Sequence, residues 1–224
     1  NRSGMGGYFE HDRTGFSNQT NLQLNYAYRV PLNADGVNVS FGVGAKIMYY
    51  YMDFAPEDLP PGADPAFNAK ALDNTIGDAS SGIYFYGNNF HLGYSVVNML
   101  QSSFNKEVGD GFSKNIEERV YYGMAAYMFR IDRDWHLEPS VLIRTLENAK
   151  SEYNLSVRVF YMDQFWTGLS ARSNSSLSVA MGTRVNNMIL SYSFDHYFGE
   201  ISNYQNGTHE LTISFHFPSM VNRS

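Results

Sequence analysis

A serine, an aspartate and a histidine stand close together near the end of the chain, as Ser193, Asp195 and His196. These are the side chains of a serine hydrolase, in which the histidine takes the proton of the attacking hydroxyl. Successive side chains of a strand point to opposite faces, so Ser193 and Asp195 would share a face that His196 does not. No G-x-S-x-G, H-E-x-x-H or cysteine pair is present. We therefore predict a protein without catalytic residues, without a resident metal and without a cofactor.

A proline-rich acidic stretch at 54–78 offers a second chemistry, the binding of calcium. Its carboxylates are the ligands that Ca²⁺ prefers, but they lack the alternating spacing and central glycine of a dedicated calcium loop. Long loops often carry binding sites, and exposed apolar residues within them favour a protein partner over a small ligand. Our partner-binding candidates come from this stretch, from a second loop at 98–117 and from the rim near 204. They are Phe54, Glu57, Asp58, Asp64, Phe67, Met99, Leu100, Phe104 and Tyr204.

These residues must be positioned by β-strands, because the sequence alternates between apolar and polar residues in twelve short segments. In one segment Leu190 and Tyr192 alternate with Ser191 and Ser193. The apolar positions of nearly every segment carry no Lys, Arg, Asp or Glu. We predict strands at about 3–11, 17–30, 37–53, 79–86, 90–97, 118–131, 135–146, 151–162, 164–172, 176–185, 188–197 and 208–217. Within 135–146, Pro139 cannot donate to a ladder, which predicts a bulge or an unpaired position.

The polar positions of these segments mix charges with glycines and bulky aromatic residues. A soluble sandwich would turn such positions to water, whereas this mixture suits the inside of a barrel whose outside meets lipid. We predict an all-β, antiparallel, up-and-down transmembrane β-barrel of about 12 strands, forming a single domain over 1–224. The charged side chains would form either a salt network that rigidifies the lumen or a basic pore for anions. They are Arg29, Lys46, Glu138, Arg144, Arg158, Arg172, Arg184, Asp195 and Glu210.

The connections between the predicted strands sort into two classes. We number the connections between the twelve predicted strands in chain order. Every even-numbered connection is tight, and these lie around 31–36, 87–89, 132–134, 163 and 186–187. The long connections, at about 54–78, 98–117 and 198–207, fall on odd-numbered positions. An antiparallel barrel brings alternate connections to the same side, and outer-membrane barrels keep short turns periplasmic and long loops outside. The sorting therefore predicts an outer-membrane location.

Composition sets the remaining limits. The chain has 224 residues, 43% of them hydrophobic, and its net charge of −6 argues against nucleic-acid binding. No run approaches the roughly 18 apolar residues of a membrane helix. The 17 tyrosines and 16 phenylalanines fit the interfacial girdles of a barrel. They would also fit a soluble β-sandwich that stacks on sugars, and that alternative predicts extraction without detergent.

Stretches along nearly the whole chain resemble one family, the PorP/SprF family of Bacteroidota outer-membrane proteins. They are YAYRVPL at 26–32, VSFGVGAK at 39–46, DPAF at 64–67, GIYFYG at 82–87, FHLGYSVVNML at 90–100, LEPSVLIR at 137–144, QFWTGLSAR at 164–172, SYSFDHY at 191–197 and GTHEL at 207–211. Family members usually begin with a signal peptide and an Asn-Pro-Ala-rich opening. Nothing here corresponds to that opening, so we expect about 14 strands once a further N-terminal hairpin is added.

The resemblance implies a non-catalytic role in the type IX secretion system. Some family members support the secretion or surface retention of large gliding adhesins that bear a C-terminal sorting domain. Others are linked to the periplasmic ring and its peptidoglycan-binding lipoproteins. The expected partners are therefore type IX components or an adhesin C-terminal domain, a peptidoglycan-binding lipoprotein, and outer-membrane lipid. The alternative is a porin with a basic, anion-preferring lumen.

Overall fold

The computed structural model describes residues 2–15, 17–34, 36–52, 72–108, 111–173, 176–199 and 206–216. These residues form fifteen β-strands. The strands are β1 Ser3–Thr14, β2 Ser17–Pro31, β3 Asn38–Met52, β4 Leu72–Tyr86, β5 Phe90–Val97, β6 Ser103–Val108, β7 Gly111–Ile116, β8 Val120–Tyr127, β9 Phe129–Arg130, β10 Trp135–Leu146, β11 Glu152–Tyr161, β12 Phe165–Arg172, β13 Ser176–Val185, β14 Met188–Tyr197 and β15 Thr208–Phe215. The part of the chain described contains no helical segment long and apolar enough to cross a bilayer.

The main sheet follows the order of the chain, β1-β2-β3-β4-β5-β8-β10-β11-β12-β13-β14-β15, with the short β9 paired to β10. The prediction of an all-β, antiparallel, up-and-down fold is confirmed. All twelve predicted strands are present, and β8 and β9 together occupy the predicted strand at 118–131. The sequence reading missed one element, the separate hairpin of β6 and β7 inside the loop at 98–117.

The chain divides into two compact units. The first comprises Asn1–Phe85, Gly93–Tyr122 and Thr145–Lys150, and the second comprises Tyr86–Leu92, Gly123–Arg144 and Ser151–Ser224. In the first unit, β1, β2 and β3 pair without interruption from end to end. In the second unit, β10 to β15 pair in the same continuous manner.

Burial in each unit is the reverse of that in a water-soluble sheet. Along β12 the apolar Leu169 is 58% exposed, while Ser170 and Arg172 on the other face are half-buried. In the first unit Leu24 is 64% exposed, whereas Asn21, on the opposite face of the same strand, is buried. The sheet therefore turns its apolar face outward and shelters its polar face. That pattern is expected where lipid, rather than a second layer of protein, covers the apolar side chains.

The buried side chains are few and mixed in character among the described residues. Four hydrophobic residues are buried: Met48, Ile76, Val120 and Ala126. The buried polar residues are Asn21, Asp78, His136, Glu138 and Ser176. A soluble domain of this size would bury many large apolar side chains in one core. The described residues have no such core, and most of their large apolar side chains lie on the exposed face of the sheet.

Tight turns fix the register of the hairpins locally. Met162 and Asp163, between β11 and β12, both have positive φ, and Gln164 N–H donates to the Tyr161 carbonyl over 3.1 Å. Three residues connect the paired Tyr161 and Phe165, and the two with positive φ give a twist that matches that of paired strands. Asn186 likewise has positive φ between β13 and β14. The even-numbered connections are therefore tight, as predicted, and set which residues stand opposite one another on each face.

Pro139 does not interrupt its ladder with β11, so the predicted bulge is wrong on that side. It stands opposite Val157 in a register that continues from Trp135 to Arg144. The irregularity lies on the other side of β10, where Met128 separates β8 from β9 and donates its N–H to the Asn89 carbonyl over 2.7 Å. A proline is compatible with a strand whose missing donor faces such a break.

Candidate functional site

The polar face of the second unit is built from rows of residues that stand opposite one another on β10 to β15. One row, which we call the serine row, contains Ser140, Ser156, Ser170 and Ser178. It continues to Asp195 on β14. The next row runs through Glu138, Arg158, Gly168, Ala180, Ser193 and Glu210. The pairing thus places polar side chains from all six strands on a common surface, as the alternation predicts.

Glu138 and Arg158 form the central charged contact of this face. Arg158 Nε donates to Glu138 Oε1 over 3.1 Å, and Nη2 donates to the same oxygen. Glu138 is 5% exposed, whereas the Arg158 side chain is 43% exposed. The Arg158 guanidinium lies 5.5 Å from the centre of the Phe160 ring and 6.0 Å from that of Trp166. A carboxylate buried in this way requires its cation, so the pair is a fixed, neutral feature of the surface.

The other charged residues predicted for a lumen lie on the same faces but make separate contacts. Arg144 Nη1 lies 3.2 Å from Glu152 Oε2. Lys46 Nζ donates to Asn98 Oδ1 over 2.7 Å. Glu210 shares a row with Arg158 but stands four strands away, about 19 Å at the usual strand spacing. The structure therefore brings Glu138 and Arg158 together and keeps Glu210 apart from them.

The remaining members of that predicted set are placed by register. Arg172 stands opposite Asn154 and Ser176, Arg184 opposite Ile189, and Arg29 opposite Ser40. Arg29 N–H donates to the Arg2 carbonyl over 2.6 Å. Arg172 is half-buried, whereas Arg184 is exposed. Cationic side chains are thus distributed over the polar faces rather than gathered at one point.

An amide stripe on β2, formed by Gln19, Asn21, Gln23 and Asn25, dominates the polar face of the first unit. Gln23 Nε2 donates to Asn25 Oδ1 over 2.7 Å, and Gln23 Oε1 accepts a hydrogen bond from the Tyr8 hydroxyl over 3.1 Å. Asn21 Nδ2 donates to Glu10 Oε2 over 3.0 Å. Sequence reasoning missed this stripe because it followed charged residues. The signal was present as amides at every second position of one strand.

A carboxylate in the first unit fixes the start of the loop at 98–117. Asp78 is buried, and it accepts the backbone N–H of Leu100 over 3.1 Å and that of Ser102 over 3.2 Å. The Met99 N–H donates to the Ala79 carbonyl over 3.0 Å. We call residues 98–102 the clamped segment. Asn98 and Gln101 within it have positive φ, a conformation that such bonds must hold in place.

Side chains around the clamped segment tie it to neighbouring connections. Asn98 Nδ2 donates to Glu117 Oε2 over 3.2 Å, and Gln101 Nε2 donates to Glu147 Oε2 over 2.7 Å. Arg119 Nη2 donates to the Met99 carbonyl over 3.0 Å. A side-chain hydrogen bond to Tyr121 raises the pKa of Arg119 above its ordinary value, so its guanidinium stays charged. The segment is therefore held on several sides.

Two of the predicted partner-binding residues are exposed on the clamped segment. Met99 is 38% exposed and Leu100 is 66% exposed, although the backbone N–H of each is hydrogen-bonded. Phe104 follows in β6, where the structure describes the strand but not the side chain. The candidates Phe54, Glu57, Asp58, Asp64, Phe67 and Tyr204 lie outside the described residues.

The serine, aspartate and histidine of the hydrolase motif do not converge. Ser193 and Asp195 are half-buried on the polar face, whereas His196 is exposed and its ring lies 4.9 Å from that of Phe198. His209, on the neighbouring strand, lies on the same apolar face, where its Nδ1 is 2.6 Å from the Tyr192 hydroxyl. Both histidines thus belong to an aromatic group on the apolar face.

Comparison with known proteins identifies one family. The family model described as type IX secretion system membrane protein PorP/SprF matches residues 1–215, which is nearly the whole chain. No curated protein matches the sequence.

Proposed function

Because this chain belongs to the PorP/SprF family of type IX secretion system membrane proteins, we propose that it is a non-catalytic outer-membrane β-barrel serving that machinery as an adaptor or anchor. Its cargo would be the C-terminal domain of a secreted adhesin, of the kind used in gliding by Bacteroidota, or a partner in the translocon. A periplasmic peptidoglycan-binding lipoprotein is a further candidate partner.

The outward apolar face supports the barrel. Large apolar side chains such as Leu24, Leu155 and Leu169 are mostly exposed on their strands. A backbone that crosses hydrocarbon must satisfy every polar group, which for strands requires closure into a barrel. The two outermost strands of the order, β1 and β15, are exposed along their whole described length. In a membrane these edges must be covered by strand pairing.

The clamped segment is the observation that carries the adaptor role. Asp78 holds a short, otherwise strained backbone rigidly, and that backbone presents Met99 and Leu100 to solvent. Rigid apolar anchors lose little conformational entropy on binding, which is the usual property of an interface hot spot. The segment begins the long loop at 98–117, and outer-membrane barrels place their long loops on the outside.

A porin with a basic, anion-preferring lumen is the alternative function. Its selectivity would depend on arginines whose charge is not compensated. Arg158 is bonded to Glu138 and Arg144 to Glu152, so two of the cations are neutralised locally. This pairing favours the adaptor over the porin.

The test is purification of the tagged protein from native membranes in mild detergent, followed by mass spectrometry of the proteins recovered with it. We expect stoichiometric recovery of a type IX component or a large exported protein. The variant Met99→Asp/Leu100→Asp should reduce that recovery at least tenfold. Leu32→Asp is the matched control, because Leu32 is 56% exposed in a tight, even-numbered connection. Recovery of the protein alone would contradict the adaptor, and bilayer conductance would then measure the porin.

A further inference from the structure

A cavity of about 320 Å³ opens on the polar face of the second unit, in the middle of the sheet rather than at an edge. Four strands, β10 to β13, contribute to it. Its walls are the serine row together with Arg158, Trp166, Gly168, Leu169 and Ala180. The volume is at the lower end of that of small-ligand sites. Neither the family nor the proposed function assigns a ligand to this place.

Trp166 supplies a flat aromatic surface in this cavity. A Cβ on Gly182, directly opposite Trp166 in the register, would meet three indole atoms, Nε1, Cε2 and Cζ2, each at 2.8 Å or less. The indole therefore packs directly against Gly182, which is possible because glycine has no side chain. The Arg158 guanidinium lies 6.0 Å from the centre of the ring, and the half-buried indole still lines the cavity. The part of the ring that lines the cavity can contact a ligand.

The polar groups around Trp166 are hydrogen-bonding but nearly neutral in sum. Arg158 is held by the buried Glu138 while its guanidinium remains partly exposed. Ser140 and Ser156 share a hydrogen bond of 2.7 Å between their hydroxyls. The hydroxyls of Ser170 and Ser178 make no side-chain hydrogen bond within the described part of the chain, and both residues are only half-buried. These two free hydroxyls stand on adjacent strands, which are about 4.8 Å apart.

We propose that this cavity binds a neutral saccharide, with a sugar ring stacked on Trp166. The apolar face of a pyranose ring fits a tryptophan face. The planar guanidinium can donate in parallel to two neighbouring sugar hydroxyls. The serines can both donate to and accept from further hydroxyls. A saccharide can therefore contact all three kinds of group in the cavity: the indole, the guanidinium and the serine hydroxyls.

Two other ligand classes fit this surface less well. An anion would need a cation free to neutralise it, and Arg158 is already compensated by Glu138. An extended peptide adds to the edge of a sheet, whereas each strand around the cavity has neighbours on both sides. A ligand in the cavity can therefore bind the side chains of these strands but cannot pair with their backbone. Both classes enter the test as competing outcomes.

The second tryptophan of the chain makes a specific test possible. The chain has two tryptophans, so Trp135→Phe leaves Trp166 as the single indole reporter. The protein is purified in a detergent without a sugar headgroup, and its fluorescence is titrated with a panel of neutral oligosaccharides that includes maltotriose and chitotriose. Inorganic phosphate and a serine-rich decapeptide are titrated in parallel. We expect saturable quenching by at least one saccharide and none by phosphate or peptide.

The variants separate binding at this cavity from binding elsewhere. Trp166→Ala and the milder Ser170→Ala/Ser178→Ala should each weaken saccharide affinity at least tenfold, measured by calorimetry. Ser113→Ala, in the β7 strand of the first unit, is the control and should bind as the parent does. Proper folding is verified by heat-modifiable migration on gels. The proposal is wrong if no neutral saccharide of the panel binds, if phosphate or peptide binds instead, or if both cavity variants keep full affinity. None of these results bears on partner recovery through Met99 and Leu100.

Discussion

Arg158 donates two hydrogen bonds to a single carboxylate oxygen of Glu138, its direct opposite across β10 and β11. The carboxylate is almost completely buried, while the guanidinium keeps contact with the open side of the sheet. The pair is therefore asymmetric. Removing the arginine leaves a buried carboxylate without its partner, whereas removing the glutamate leaves a cation that water can still reach.

Arg158→Met should destabilise the protein by about 1–3 kcal/mol, because a buried carboxylate loses its partner. The measurement is urea unfolding in detergent or lipid, followed through intrinsic fluorescence. Glu138→Gln/Arg158→Met removes the stranded charge and should recover most of that loss. Equal stability of the single and the double variant would contradict the prediction.

A second prediction concerns the contact of Trp166 with Gly182. Gly182→Ala places a methyl group where the indole lies, so Trp166 must move, at a cost of about 1–3 kcal/mol. Fluorescence of the Trp135→Phe protein would report the displacement as a changed emission maximum. Gly123→Ala is the matched control, since a Cβ on Gly123 has no heavy atom within 4 Å. An unchanged spectrum in the Gly182 variant would show that the ring does not rest there.

A third prediction concerns the clamped segment. Asp78→Asn replaces a charged acceptor of three backbone N–H groups, two of them in the clamped segment, and weakens each bond by about 1 kcal/mol or more. The loop at 98–117 should then be cleaved several-fold faster by added protease in intact cells. Partner recovery should fall as well, because Met99 and Leu100 lose their fixed position.

The control for this experiment is a carboxylate with the same local role elsewhere. Asp132 Oδ1 accepts the N–H groups of Asp134 and Trp135, each over 2.8 Å, in a tight connection. Asp132→Asn should leave cleavage at 98–117 unchanged. Equal cleavage in both variants would mean that Asp78 does not hold the segment.

The strands could be read from the sequence because side-chain alternation is local and does not depend on the partner strand. Twelve segments were found in this way, together with the face on which Glu138, Arg158 and Ser193 lie. The pairing of Glu138 with Arg158 was beyond such reasoning, since it depends on the register of two strands joined by a variable connection. The role of Asp78 could not be predicted either, because two of the backbone N–H groups that it accepts are more than twenty residues away.

The hairpin of β6 and β7 shows a different limit. Its strands are short, Ser103–Val108 and Gly111–Ile116, and their residues carry no clear alternation of apolar and polar types. A pattern of hydrophobicity cannot reveal such a hairpin, so the sequence indicated only a long loop.

The surroundings of the apolar face give the last prediction. Leu169 and Ser170 are neighbours on β12, with Leu169 on the apolar face and 58% exposed, and Ser170 on the polar face. If lipid covers the apolar face, Leu169→Arg places a charge in hydrocarbon and lowers the stability of the folded state by about 2–4 kcal/mol near the bilayer centre. Ser170→Arg keeps its charge on the sheltered, hydrated side and should assemble normally.

The measurement is the yield of heat-modifiable protein in the outer-membrane fraction, with unfolding in lipid vesicles to give the difference in free energy. We expect a large loss for Leu169→Arg and little for Ser170→Arg. A water-soluble sheet would give the opposite order, because an arginine at a largely exposed position in water is harmless while one on the sheltered face is not. The two adjacent substitutions therefore decide, within one strand, which face of this sheet meets the membrane.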